Sequence, residues 1–169
     1  MKKLFIFGLF FLSLSAFSQV DKTTIMENVK KCFPTATKAG VFIDARKMSA
    51  KGSLSSACSA QGMTAIIVPL KAFNNVGPGF KQLIGNFNVD FIFVPNFQMS
   101  KSKKFRSFLT KKSGIKKVPL IVEDRKFVEG GALMCFENQG GEIVAVINKK
   151  TAAIIGFTPP ANLKTEMIE

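Results

Sequence analysis

Histidine, tyrosine and tryptophan are absent from this chain. Without histidine there is no Ser-His-Asp triad, no imidazole general acid or base, and no imidazole-ligated metal. Cysteine is sparse. Cys32, Cys58 and Cys135 stand far apart with no Cys-x-x-Cys pair, so neither a zinc site nor a dithiol redox motif is written. In an oxidising compartment one pair could bridge and leave an odd thiol. The other reading makes each a small buried hydrophobe. Acid is scarce as well, with 11 Asp and Glu against 24 Lys and Arg and a formal net charge of +13. What remains for catalysis is Asp, Glu, Lys or Ser chemistry, and a hydrolase or transferase built on Asp44 or Asp124 is the weakest of the functional expectations. No cofactor, metal or catalytic residue is expected.

The N-terminus carries an address. Lys2 and Lys3 precede the apolar run from Leu4 to Leu14, and small residues follow at Ala16 and Ser18. That is the layout of a secretory signal peptide over residues 1–18, with cleavage expected after Ser18. The run is too short for a spanning anchor, and no later run is long enough either. The expected location is therefore periplasmic or otherwise extracytoplasmic. Residues 19–169 amount to about 150 residues, the size of one ordinary domain. They keep twice as many basic as acidic residues. Such a field favours anionic partners: lipid headgroups, surface polysaccharide, acidic proteins or small anions. Simple solubility would explain the charge equally well. Nucleic acid is not expected as a partner, because an exported chain rarely meets it.

Periodicity orders the elements. Ile25, Met26, Val29 and Phe33 have helical spacing before Pro34. Strands are predicted at 41–43, ending in Asp44, at 64–68, at 89–94 and at 118–122. Helices are predicted at 54–61 with Gly62 as stop, at 80–87, and at 102–113 closed by Gly114. Residues 74–79, which include Gly77-Pro78-Gly79, have loop composition. Strands that are continuous apolar runs, alternating with helices, predict a parallel sheet covered on both faces. The pattern then changes. Residues 132–136 and 143–147 flank Asn138-Gln139-Gly140-Gly141 as a β-hairpin, and a helix at 149–155 ends at Gly156. The hairpin is expected at the sheet edge, where it could pair with a partner strand. The fold class expected is α/β: one Rossmann-like or flavodoxin-like three-layer domain with a C-terminal antiparallel hairpin.

In open parallel sheets ligands bind beyond the carboxyl ends of the strands. This points to Asp44, Arg46, Asn96, Phe97, Lys101 and Asp124 as ligand-binding candidates. Lys101, Lys103 and Lys104 crowd the start of a helix, where cations oppose the helix dipole. A bound anion would relieve that conflict, and solvent screening would also do so. Phe105, Phe108 and Leu109 have the spacing of a sheet-facing stripe. Lys103, Lys104, Arg106, Lys111 and Lys112 then form a cationic outer face, a candidate surface for an acidic partner or an anionic membrane.

Two resemblances are carried by specific runs. Val118-Pro119-Leu120-Ile121-Val122, then Phe127 to Met134 with Gly130-Gly131, resembles the second lobe of ABC-importer substrate-binding proteins. So does the ending from Ile147-Asn148 through Ala152 and Gly156 to Pro159-Pro160, and so does Phe33-Pro34 to Asp44. The likeness spans about 130 residues and one lobe. The compact spacing from Gly130-Gly131 to Ile147-Asn148 also resembles YfiR-like single-domain periplasmic regulators. The first resemblance implies capture of a small ligand, possible only with a closing subunit, and importer subunits as partners. The second implies a non-catalytic regulator acting on an envelope protein partner.

Overall fold

The computed structural model describes residues 20–169; the signal segment expected at 1–18 lies outside the described residues. Among these, no helix is long and apolar enough to cross a membrane. The chain forms α1 (Lys22–Cys32), β1 (Lys38–Asp44), α2 (Ala50–Ser59), β2 (Thr64–Leu70), α3 (Val76–Lys81) and β3 (Phe91–Val94). It continues with α4 (Lys103–Lys116), β4 (Leu120–Val122), α5 (Arg125–Glu129), β5 (Met134–Gln139), β6 (Glu142–Asn148), α6 (Lys149–Ile155) and β7 (Thr165–Ile168). One seven-stranded sheet has the order β2-β1-β3-β4-β5-β6-β7. It is parallel except where β6 runs antiparallel to β5, and β7 lies parallel to β6. This is the α/β, Rossmann-like three-layer domain that the alternation predicts.

The strands are apolar throughout because each face meets its own helices. Val41, Ile43, Phe91, Phe93, Ile121 and Met134 point to one core, filled from above by α1 and α2. Phe42, Val68, Ile92, Val94, Val122 and Cys135 point to the other, filled by α3, α4 and α5. Side chains alternate across a strand, so a run buried on both sides must be apolar at every position. Cys58 belongs to the first core and Cys135 to the second, so the sheet stands between them. All three cysteines are free thiols. Burial pushes them up, Cys32 and Cys135 to about 12 and Cys58 to about 11, so they hold almost no thiolate at neutral pH.

Several boundaries differ from expectation for local reasons. The predicted loop at Gly77-Pro78-Gly79 is the first turn of α3, where a proline lacking its N–H breaks no helical bond. Glycine is required at 79, because a Cβ there would stand 2.8 Å from Val68 and 3.0 Å from Phe42. The helix continues as a π turn over Gln82–Asn86, with Phe87 N–H bonding Gln82 C=O at 3.2 Å. α2 begins four residues early, at Ala50, and β3 begins two residues late, at Phe91. Gly114 does not end α4. The helix runs on to Lys116 and closes at Lys117, which takes φ 51° while Val118 N–H bonds Ser113 C=O at 3.1 Å. Phe108 is half-buried and packs against the margin of the core that Phe105 and Leu109 enter.

The hairpin forms, with Gly140 and Gly141 both at positive φ in its two-residue turn and Asn138 accepting from Gly141 N–H at 2.9 Å. It is not at an edge. β4 pairs one side of β5, and β7 covers β6, so the hairpin offers no free strand to a partner. The edges are β7 and β2, and β2 carries Pro69, a residue tolerated there because an edge strand can spare an N–H.

Candidate functional site

Asp44, Arg46, Asn96, Phe97 and Lys101 line one cleft of about 450 Å³ at the carboxyl ends of β1 and β3, together with Lys47 and Gln98. The topology assembles it. β1 and β3 are neighbours in the sheet, so the loops leaving them face each other. Asp44 closes β1 and is almost buried, while the Arg46 side chain beside it is 77% exposed. The carboxylate accepts from Arg46 Nε at 3.0 Å, Arg46 Nη2 at 2.8 Å and Arg46 N–H at 2.9 Å. Those bonds, the side-chain ones first, hold the Asp44 carboxyl down at about 2. At neutral pH it is a firmly ionised strut that fixes the guanidinium and a very weak proton acceptor.

The titration has a definite sign. Because the folded pKa is depressed, the stabilisation from this pair is fully present above the ordinary carboxylate value, about 4. It is lost as pH falls towards 2. In Arg46→Gln the Asp44 resonance, followed by carbonyl NMR, is expected to titrate nearer that ordinary value. An unchanged midpoint would show that the guanidinium is not what holds it.

The opposite wall is equally constrained. Ser100 is buried, and its Oγ accepts from Phe97 N–H at 3.0 Å and donates to Phe97 C=O at 2.8 Å. Phe97 packs edge-on against Phe105 of α4, centroids 5.7 Å apart. Asn96 N–H donates to Glu123 Oε2 at 2.7 Å, and the other Glu123 oxygen accepts from Lys22 Nζ. Glu123 is thus the buried acid behind the cleft.

Asp124, predicted to be with this group, sits elsewhere. It caps α5 by accepting from Lys126 N–H at 2.9 Å and pairs with Arg106 at 3.7 Å. That ion pair also turns Arg106 inward from the predicted cationic face. Lys104 Nζ lies 4.5 Å from the Phe73 ring centroid, and Lys112 Nζ lies 5.9 Å from that of Phe108. Lys103 and Lys111 are exposed. The dipole conflict at the start of α4 is eased from within, because Ser102 Oγ accepts from Phe105 N–H at 3.1 Å.

Lys47 and Gln98 carry no sequence signal beyond their place beside predicted loop residues. A charged cluster at the same end of the sheet is likewise unmarked in the sequence. Arg125 bridges Glu137, at 3.1 Å, and Glu166, with Gln139 joining both acids. This ties α5, β5 and β7 together and raises Arg125 above its ordinary value, chiefly through the Glu166 bond.

Comparison with known proteins locates the fold alone. No protein-family model matches the chain, and no curated protein matches it. Solved structures do. One is the ligand-free, open form of CD0873, a substrate-binding protein with adhesive properties from Clostridium difficile, at TM-score 0.71 and 17% identity over 89% of this chain. A conserved domain protein from Vibrio cholerae O1 biovar eltor gives 0.70 and 15% over 86%. An ABC domain in complex with L-Trp from Streptococcus pneumoniae gives 0.69 and 16% over 87%. The chain covers 61%, 60% and 62% of those three chains, respectively.

Proposed function

We propose that this chain is an exported, non-catalytic binding or regulatory module, residues 19–169 acting as a single binding-protein-like lobe behind a signal peptide cut after Ser18. It works through an envelope protein partner, in the manner of YfiR-like regulators. The observation that carries this reading is the open cleft of Asp44, Arg46, Asn96, Phe97 and Lys101. Its walls are held rigidly from behind by Glu123 and Ser100, while Arg46 presents its guanidinium to solvent. A fixed, exposed, cationic rim suits a surface that another protein completes with acidic groups. Lys103, Lys104, Lys111 and Lys112 extend the same sign of charge along α4, with Arg106 partly spent on Asp124. The depressed Asp44 carboxyl speaks against general acid–base work.

A second reading is the substrate-binding component of an ABC importer, taking a small anionic ligand between this cleft and a closing subunit. It is favoured by the likeness of the fold to substrate-binding proteins, one of them with L-Trp bound. Native mass spectrometry on protein purified from its own envelope separates the two. A second polypeptide is expected, and it should be lost in the variant Arg46→Glu/Lys101→Glu. A small-molecule mass retained by the wild type and lost in that variant would overturn the partner reading in favour of capture.

A further inference from the structure

A second concavity lies on a different face, between α3 and α4. It measures about 580 Å³, within the range of roughly 300–1,000 Å³ usual for small-ligand sites. Its floor is Gly77, Phe80, Ile84 and Gly85 from the first helix and its π turn, with Phe108 from the second. The gap is encoded in the sequence. Positions 77, 81 and 85 repeat every four residues and so share one helix face, yet two of the three are glycines with no side chain to fill it. A Cβ at Gly85 would meet no atom within 4 Å, and Gly77 faces the Phe108 ring. The π turn at Gln82–Asn86 shapes the lower wall, and such turns recur at functional sites. Ile115, one heptad beyond Phe108 on the same face of α4, is 65% exposed and prolongs the apolar strip.

Around this apolar floor stand Lys81, Lys112 and Lys116. Among the described residues no carboxylate pairs with any of them. Three like charges bordering one hydrophobic trough repel one another and leave the trough wet. A molecule with a hydrocarbon chain and one anionic head answers both costs. We infer that this groove binds a single-chain anionic amphiphile, its acyl chain over Phe80, Ile84 and Phe108 and its carboxylate among the three lysines. The site is separate from the cleft at the strand ends and does not depend on what that cleft binds.

Sodium laurate, kept below its micellar concentration, is the probe for isothermal titration with the purified protein. One site per chain is expected, with no saturable binding of acetate, which has the head without the chain. Gly85→Leu fills the trough from a position with room for the side chain, and is expected to weaken binding at least tenfold while leaving the thermal midpoint no lower. Lys81→Gln/Lys112→Gln/Lys116→Gln should weaken it at least tenfold as well. Lys51→Gln/Lys126→Gln/Lys150→Gln removes the same charge from exposed positions elsewhere and should change nothing. Absence of saturable laurate binding, wild-type affinity in Gly85→Leu, or equal loss in the two lysine triples would each overturn the inference. Co-sedimentation with phosphatidylglycerol vesicles without binding of monomeric laurate would also overturn it, making this face a membrane contact instead.

Discussion

Replacing Phe105 by alanine is expected to cost about 4 kcal/mol of folding stability, the middle of the range for emptying a fully buried phenylalanine site. The ring is completely buried in the core beneath α4. It packs edge-on against Phe97 at 5.7 Å and Phe127 at 6.2 Å, so one side chain joins the cleft wall, α4 and α5. Each ring pair adds roughly 0.5–1.5 kcal/mol beyond the area it buries. Alanine would leave two phenylalanines facing a void that neither can fill, because one is fixed by the Ser100 turn and the other by α5. Urea unfolding followed by far-UV circular dichroism measures this directly; the chain has no tryptophan or tyrosine to report by fluorescence. The midpoint should fall with little change in slope. A loss below about 1 kcal/mol would show that the core relaxes to fill the site. Phe105→Leu, which keeps most of the volume, should cost less than half as much.

How much of this was legible follows from burial and length. Strands β1, β3 and β4 announce themselves because both faces are covered, which forces an unbroken apolar run. β7 does not: Thr165-Glu166-Met167-Ile168 is four residues long, pairs only with β6, and contains no fully buried side chain. α5 is five residues, below the length at which helix propensity speaks, although Asp124 before it and Gly130 after it are ordinary cap signals. The ending of the chain was readable as a motif and proves to be a clasp. Asn148 accepts from Thr151 N–H at 2.8 Å and donates to Val128 C=O at 3.1 Å, while Thr151 Oγ1 donates to Gly131 C=O at 2.9 Å. Gly156 then ends α6 at φ 78°. Those bonds tie β6 and α6 to α5 and to the turn after it, so this run serves the fold.

The cleft was legible through topology. Knowing that β1 and β3 end together is enough to collect Asp44, Arg46, Asn96, Phe97 and Lys101. Asp124 misses it by one residue, because β4 has already ended at Val122 and the chain bends at Glu123 into the start of α5. Glu123 turns back to the Asn96 loop and Asp124 turns away to cap α5. The groove between α3 and α4 was hidden for another reason: composition reads Gly77-Pro78-Gly79 as a loop, and a loop has no helical face to leave empty.

Glu123 gives the sharpest test of how the cleft is built. Its side chain is 2% exposed, yet it is a carboxylate; it bonds Asn96 N–H at 2.7 Å and pairs with Lys22 at the start of α1. Truncation to alanine strips both groups of their acceptor, and breaking a buried pair from one side costs about 3–5 kcal/mol. Lys22 keeps some access to water, at 27% exposure, so the lower end is expected, about 3 kcal/mol. Glu123→Gln retains an oxygen for Asn96 N–H but loses both the charge and the acceptor that faces Lys22, so it should still cost less than the alanine change, about half of that. The two variants should also part in function. The alanine form frees the Asn96–Phe97 loop, and with it the wall opposite Arg46, so the partner binding proposed for the cleft should fall at least as steeply as stability. The glutamine form keeps the loop in place and should bind nearly as wild type. Equal stability loss in both variants would assign the effect to the ion pair with Lys22 alone. The backbone bond to Asn96 would then contribute nothing measurable, and the cleft wall would owe its position to Ser100 and Phe105.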